Sequence, residues 1–356
     1  MDFDILSTYT LIALMEQLTP TPSFFRERYF PTGAGDLYTT DYVLTEYTEG
    51  SRKMAAVVAP RIGDIPVERG SFEIHRYEPP KVAPSRLLTI DDLKKKGFGE
   101  APFANLTPEQ RAGKIVQQDL RDLERRIAFR EEWFCVQTML ANGFTVPAMA
   151  DEVTAAEDYD LKFYDTVVSD HLYTVNGTWS SFADMKADVV AMCDKLADRG
   201  LPVSDLLLGP DAAGAALAFT DFQRLIDKNS GIETGKIRET LSRYRGIVYL
   251  GEINFGGYML GIYSVRETYV SDAGITTPYF PAKGAMVTAP GCGRLTYGAV
   301  TQIPRGGENF VTLSGTRVPK LIVDDKNDTR TLRLTSRPLA MPKNRSPYVY
   351  AANVVA

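Results

Sequence analysis

The side chains in this chain that could carry chemistry are few, and poorly placed for it. Histidine occurs only at His75 and His171, and cysteine only at Cys135, Cys193 and Cys292. None of these five has the close spacing of a metal-binding pair. Cys292, in Pro290-Gly291-Cys292-Gly293-Arg294, has the form of a nucleophile on a tight loop, with a guanidinium nearby to favour the thiolate. A cysteine nucleophile also needs a base, and neither histidine shares its motif. The plainer reading is that all five are packed or solvent-facing. Gly291-Cys292-Gly293 is followed by four residues before Gly298, which misses the dinucleotide fingerprint, and there is no Walker loop. Gly256-Gly257 and Gly306-Gly307 read as turns. The acid pairs Asp91-Asp92, Glu131-Glu132 and Asp324-Asp325 read as ordinary loop or helix-face charges. The expectation is a chain with no catalytic residue, no metal and no cofactor. A soluble α/β enzyme working through Cys292 or a carboxylate stands as the alternative.

The element that most of the chain is organised around runs from Thr107 to Asn142. Thr107 can cap the first turn, Pro108 suits the first helical position, and Gln110 completes a capping box. Asn142-Gly143, with Pro147 just beyond, is a helix stop. The resulting rod is roughly 50 Å long at 1.5 Å per residue. Val116, Leu120, Leu123, Ile127 and Phe134 form one apolar stripe. A second stripe, Phe129, Trp133, Val136 and Leu140, begins only in the latter half. The first half is therefore expected to lie on a surface and the second to be sandwiched. Its many charges read as a solvated face laced with i,i+4 pairs, or as a spine that also meets neighbouring subunits.

The whole chain sets outer bounds. Its 356 residues allow two or three domains, and 44% apolar with 24% charged residues is ordinary for a soluble globular protein. A net charge of −5 and a pI near 5.3 disfavour a protein built to grip nucleic acid, though not a wall that encloses it. Three widely spaced cysteines suggest a reducing compartment, and no run has the composition of a signal peptide or membrane span. A cytoplasmic setting is expected.

Residues 1–38 read as an arm: an apolar-rich stretch from Phe3 to Leu18, then the sticky Phe24-Phe25-Arg26-Glu27-Arg28-Tyr29-Phe30-Pro31. From Tyr38 to about Ala101 the pattern is extended, with Met54–Val58 β-prone and a turn expected at Gly70-Ser71. Pro79, Pro80 and Pro84 keep the following segment off the middle of a sheet. This stretch is too poor in apolar residues to bury a core, so a projecting two-stranded loop that needs a partner surface fits best. Residues 148–160 read as an acidic turn, followed by strands to Trp179. Ser181 starts a helix that stops at Gly200. Leu206–Leu208 is a buried strand, Asp211 opens one helix to about Lys228, and Gly235–Arg245 is a further, basic one. Strands at 247–250, 258–269, 285–288 and 295–303 complete an α/β block, and a tail of strands follows Phe310.

In this order, several segments together resemble the lambda-like phage major capsid proteins, the coat protein E family. They are FFRERYFP (24–31), ERGSFEIHRYEPPKVAP (68–84), QQDLRD (117–122), YFPAKGAMV (279–287), RLTYGAV (294–300) and SRPLAMP (336–342). The likeness covers nearly the whole chain. It implies the HK-97-like capsid fold, an α+β architecture with an arm (1–38), an extended loop with its flanks (39–105), a peripheral domain holding the spine helix (106–180 and 302–356) and an axial α/β domain (181–301). The function implied is self-assembly as hexamers and pentamers into an icosahedral shell that encloses double-stranded DNA without sequence-specific binding. The implied partners are further copies of the chain, a portal, a separate scaffold and a trimeric cement protein, with no membrane. The implied location is the virion, after assembly in the host bacterial cytoplasm. Contacts between subunits are expected from Phe24, Phe25, Arg26 and Arg28 on the arm and from Arg69, Arg76 and Lys81 on the loop. Acids such as Glu131 and Glu132 on a neighbour's helix are their expected counterparts. Another phage shell or tail-tube component is the nearer alternative, ahead of the enzyme.

Overall fold

The computed structural model describes residue 11 and residues 21–48, 72–89, 108–149, 155–163, 171–229, 244–272, 274–304, 308–324, 326 and 329–356. The stretch Phe3–Leu18 (apart from Leu11), the strand expected at Met54–Val58, the turn at Gly70-Ser71 and nearly all of the basic helix at 235–245 lie outside them.

The chain enters through a short helix, α1 (Phe24–Tyr29), and a 3-10 turn at Ala34–Asp36. β1 (Val43–Thr48) then pairs antiparallel with β2 (Phe72–Tyr77), Val43 opposite Tyr77 and Thr48 opposite Phe72. These two strands form a sheet of their own, as expected for the root of a projecting loop. β3 (Ser85–Leu88) starts directly after Pro84 and takes an edge position, where the missing N–H groups of the preceding prolines cost no ladder bonds.

The long helix, α2 (Pro108–Ala141), runs for 34 residues, close to its expected ends. Asn142 and Gly143, at φ 52° and 145°, turn the chain out of it. A Cβ on Gly143 would sit 2.1 Å from the Leu161 carbonyl oxygen, so glycine is required there by space as well as by conformation. Val116, Leu120, Leu123 and Ile127 pack on Leu321, Leu332 and Leu334 of a three-stranded sheet, ordered β16 (Val318–Asp324), β17 (Thr329–Thr335), β3. Phe134, Val136 and Met139 enter a second, larger core. The two halves of the helix therefore differ as their stripes foretold. Phe129 departs from the expectation: it is 43% exposed, and the second stripe begins at Trp133.

After the helix, β4 (Gly143–Met149) and β5 (Ala155–Lys162) form an antiparallel hairpin, where an acidic turn had been expected. Asp158 and Asp160 alternate outward while Tyr159 and Leu161 turn toward the core, so the acids are one face of a strand. β6 (Leu172–Tyr173) follows, then α3 (Phe182–Asp198). Ser181 and Asp184 bond reciprocally to each other's backbone N–H at the start of α3, a capping box, and Gly200 (φ 75°) turns the chain after it. β7 (Asp205–Leu208) leads into two helices, α4 (Pro210–Ala218) and α5 (Thr220–Asn229), in place of the single one expected.

The axial block is built on a six-stranded sheet ordered β6, β19 (Val349–Ala351), β12 (Ala285–Thr288), β7, β9 (Tyr258–Val265), β8 (Ile247–Phe255). It is a wall between two cores. Leu206, Leu208, Ala285, Val287, Val349 and Ala351 point to α3 and α4, while Leu207, Met286 and Tyr350 point to α1 and the end of α2. The remaining strands form small antiparallel pairs: β10 (Thr268–Val270) with β11 (Thr276–Pro278), β13 (Gly293–Tyr297) with β18 (Pro338–Pro342), and β14 (Val300–Gln302) with β15 (Val311–Leu313). The tail had been expected to stay with the long helix. Its last strand instead returns to the axial sheet, between β12 and β6, because its Val349 and Ala351 complete that apolar face.

Candidate assembly site

The arm's FFRERY segment is α1, and it is anchored inside its own subunit. Phe24 and Phe25 are 1% and 0% exposed, and the Phe24 ring meets Phe25, Tyr29 and Tyr244 edge-on at 5.4, 5.7 and 5.5 Å between centroids. Ser23, the residue before the helix, makes no capping bond with its side chain. Glu132 of α2 replaces it, its Oε1 accepting from the Phe25 N–H at 2.7 Å and its Oε2 from the Arg26 N–H at 2.9 Å.

Beside it, Glu131 is completely buried and held by two arginines. Arg317 approaches as a fork, donating to the two carboxylate oxygens at 2.6 and 2.8 Å, and its Nε reaches Glu124 at 2.9 Å. Arg26 donates to Glu131 Oε2 at 3.0 Å. Burial alone would raise the Glu131 carboxyl, but Arg317 and Arg26 together hold it below the ordinary value. Glu132 has no such guanidinium fork, and burial pushes it up to about 8, with Glu267 nearby acting in the same direction against the two N–H donors. Glu267 is itself raised to about 7 by burial. On the other side of α1, Arg28 grips Asp205 at the start of β7 through two bonds of 2.6 and 2.9 Å, and the Tyr29 hydroxyl donates to the same carboxylate at 2.8 Å.

Burial corrects the reading of Glu131 and Glu132 as a solvated pair. Phe24, Phe25, Arg26, Arg28, Glu131 and Glu132 were expected at contacts between subunits, and the acid pair on a solvated face. All six are engaged within one chain, because α1 fits the gap between the end of α2 and the axial sheet. Arg317, Glu124 and Asp205 were missed. Arg317 lies 186 residues from Glu131, and Asp205 lies 177 from Arg28, so no local spacing announces either pair.

The loop residues are placed differently. Arg76 is exposed at the root of the β1–β2 ladder, over the Tyr42 ring at 4.2 Å and 2.9 Å from Glu78. Lys81 is exposed just past the ladder, and Arg69 lies outside the described residues. Large apolar side chains are left in water here and elsewhere: Leu44 on β1 (50% exposed), Leu87 on β3, and Val270 and Ile275 on the β10–β11 hairpin.

The candidates for chemistry are packed away from it. Cys292 is buried and its thiol is pushed up to about 12 by burial, the opposite of an activated nucleophile. His75 stacks on Tyr77 with centroids 6.0 Å apart, and His171 is buried near Tyr348. Among the described residues there is no group of three His, Cys, Asp or Glu that could hold a metal ion, and no helix long and apolar enough to cross a membrane.

Comparison with known structures agrees with this architecture. A protein described as a prophage capsid protein of Escherichia coli CFT073 superposes with a TM-score of 0.65 at 16% identity, over 99% of each chain. The capsid of Ralstonia phage GP4 matches at 0.52 and 12% identity, over 96% of this chain and 93% of that one. A phage-related protein of Bordetella bronchiseptica RB50 matches at 0.53 and 10% identity, over 98% of each chain. At these identities the likeness establishes the fold. No protein of curated function matches in sequence. The family model for phage major capsid protein E matches residues 7–353, nearly the whole chain, and with the arm, ladder, long helix and two-faced sheet in their expected order, this chain belongs to that family of phage shell proteins.

Proposed function

We propose that this capsid protein closes an icosahedral shell of hexamers and pentamers around double-stranded DNA, in the virion of a tailed phage. Residues 106–180 with the tail strands β15–β18 form the peripheral domain around α2. Residues 181–301, completed by β19, form the axial domain at the centre of each capsomer. Arm and loop join subunit to subunit, with the arm fixed at α1. A portal and a separate scaffold complete assembly in the host cytoplasm, and a cement protein can bind outside.

The observation that carries this reading is the β1–β2 ladder. One face of the pair, Val43, Thr45 and Tyr77, is packed against its own subunit, while the other leaves Leu44 and Arg76 exposed. A neighbouring copy covers that exposed face, with Arg69, Arg76 and Lys81 meeting its acids. Each such contact is modest, but closed symmetry repeats it many times in a shell. The test is deletion of residues 50–70 with a short glycine-rich replacement. The expected product keeps the wild-type circular dichroism and melting curve yet forms no closed shells. Normal shells from the deletion variant would refute the loop's role.

A further inference from the structure

The described carboxylates from Asp119 to Glu132 on α2 all have partners within the chain. Asp119 and Asp122 are bonded to Arg86, Glu124 and Glu131 to Arg317, and Glu132 to the start of α1. Even so, Asp122 stays 34% exposed beside Arg125, and Glu132 shares the azimuth of Lys114, at the end of the helix that α1 covers. The exposed side carries cations. Successive residues are 100° apart around a helix, which places Lys114, Gln118, Arg121 and Arg125 in one narrow line. That line lies directly across from the buried stripe Val116, Leu120, Leu123 and Ile127. All four are exposed, and Arg126 is exposed on the flank. Lys114, Arg121 and Arg126 have no acidic partner among the described residues. Arg125 has only a screened contact with Asp122 at 3.8 Å.

We propose that this face of α2 binds the phosphate backbone of duplex nucleic acid, through Lys114, Arg121 and Arg125. The inference rests on the capsid reading and deepens it by naming a wall surface that touches the genome. The line is about 16 Å long, several phosphates of a duplex. It is a convex rod with Phe129 as its exposed apolar neighbour, so a protein partner would find little to bury, whereas a polyanion needs only charge. Guanidinium groups suit phosphate oxygens and stay charged at every working pH. The chain's net charge of −5 is no obstacle, since the acids of this helix from Asp119 to Glu132 are already bonded within the chain. Few contacts per subunit with release into salt would hold DNA near the wall without fixing its sequence or position.

The test is the salt dependence of binding between the purified full-length protein and a labelled duplex of about 30 base pairs. Three phosphate contacts predict a log–log slope of about −3, falling to about −1 in R121Q/R125Q. K114Q/R121Q serves as a second variant with the same expectation. K320E/R333E removes two half-buried cations from the far side of the layer, on β16 and β17, and should leave the slope unchanged. Electron microscopy of the same preparations should show shells from R121Q/R125Q. An unchanged slope in both stripe variants overturns the proposal. So does loss of shells with DNA binding intact, which would make the stripe a seat for an acidic protein surface. Failure of the unaltered chain to form shells counts against the capsid reading alone, because the slope is read on free duplex.

Discussion

Glu131 has no exposed surface, and its charge is matched only by arginines from two distant segments. Removing one side of such an arrangement leaves a buried charge without its partner. Arg317→Met is expected to lower the unfolding free energy by about 3–5 kcal/mol, and R317M/E131M to recover much of it, both read by urea denaturation. The neighbouring carboxyls give a pH dependence of opposite signs. Glu131, held low, contributes stability that is present above the ordinary glutamate range and lost as pH falls through its folded value. Glu132 and Glu267 are raised to about 8 and about 7, so the folded protein keeps protons that the unfolded chain has released. Their contribution therefore falls as pH rises from the ordinary glutamate value of 4.5 toward 8. Glu267→Gln should flatten the decline in stability between about pH 5 and about pH 8.5. An unaltered pH profile in that variant would show that Glu267 is already fully solvated.

The elements that sequence made legible are those whose determinants are local. Both ends of α2 and the cap of α3 lie within a few residues of the turn they terminate. Ser181→Ala should cost about 1 kcal/mol, measured as a lower denaturation midpoint. Apolar periodicity likewise located the packed face of α2. Ile127→Ala is expected to cost about 2–5 kcal/mol, and Phe129→Ala, on the wet side, no more than about 0.5 kcal/mol. What could not be read is what depends on remote partners. The β4–β5 hairpin looked like a turn because Asp151, Glu152, Glu157, Asp158 and Asp160 make the stretch acidic, while what makes β5 a strand is its pairing with the preceding Gly143–Met149, a contact that composition does not show. The same holds for Glu131 and Glu132, whose acid pair resembles any solvated helix face until Arg26 and Arg317 are brought to it. Cys292 is the converse case: its motif suggested reactivity, and burial removed it.

At the scale of the molecule, α1 is the joint. It is tied to α2 through Glu131 and Glu132 and to the axial sheet through Asp205, so the base of the arm cannot move without moving both. The tail closes the same body from the other end by giving β19 to the sheet. On the function proposed above, neighbours meet the exposed face of the β1–β2 ladder and apolar tips such as Val270 and Ile275. A subunit made in this way has a firm centre and adhesive extremities, which is the division of labour a closed shell requires. Electron microscopy of the full-length protein, expressed and purified by itself, tests this most directly. The account predicts closed shells, or free hexamers and pentamers that convert to shells when concentrated; a preparation of discrete monomers at every concentration, or of open tubes, would contradict it.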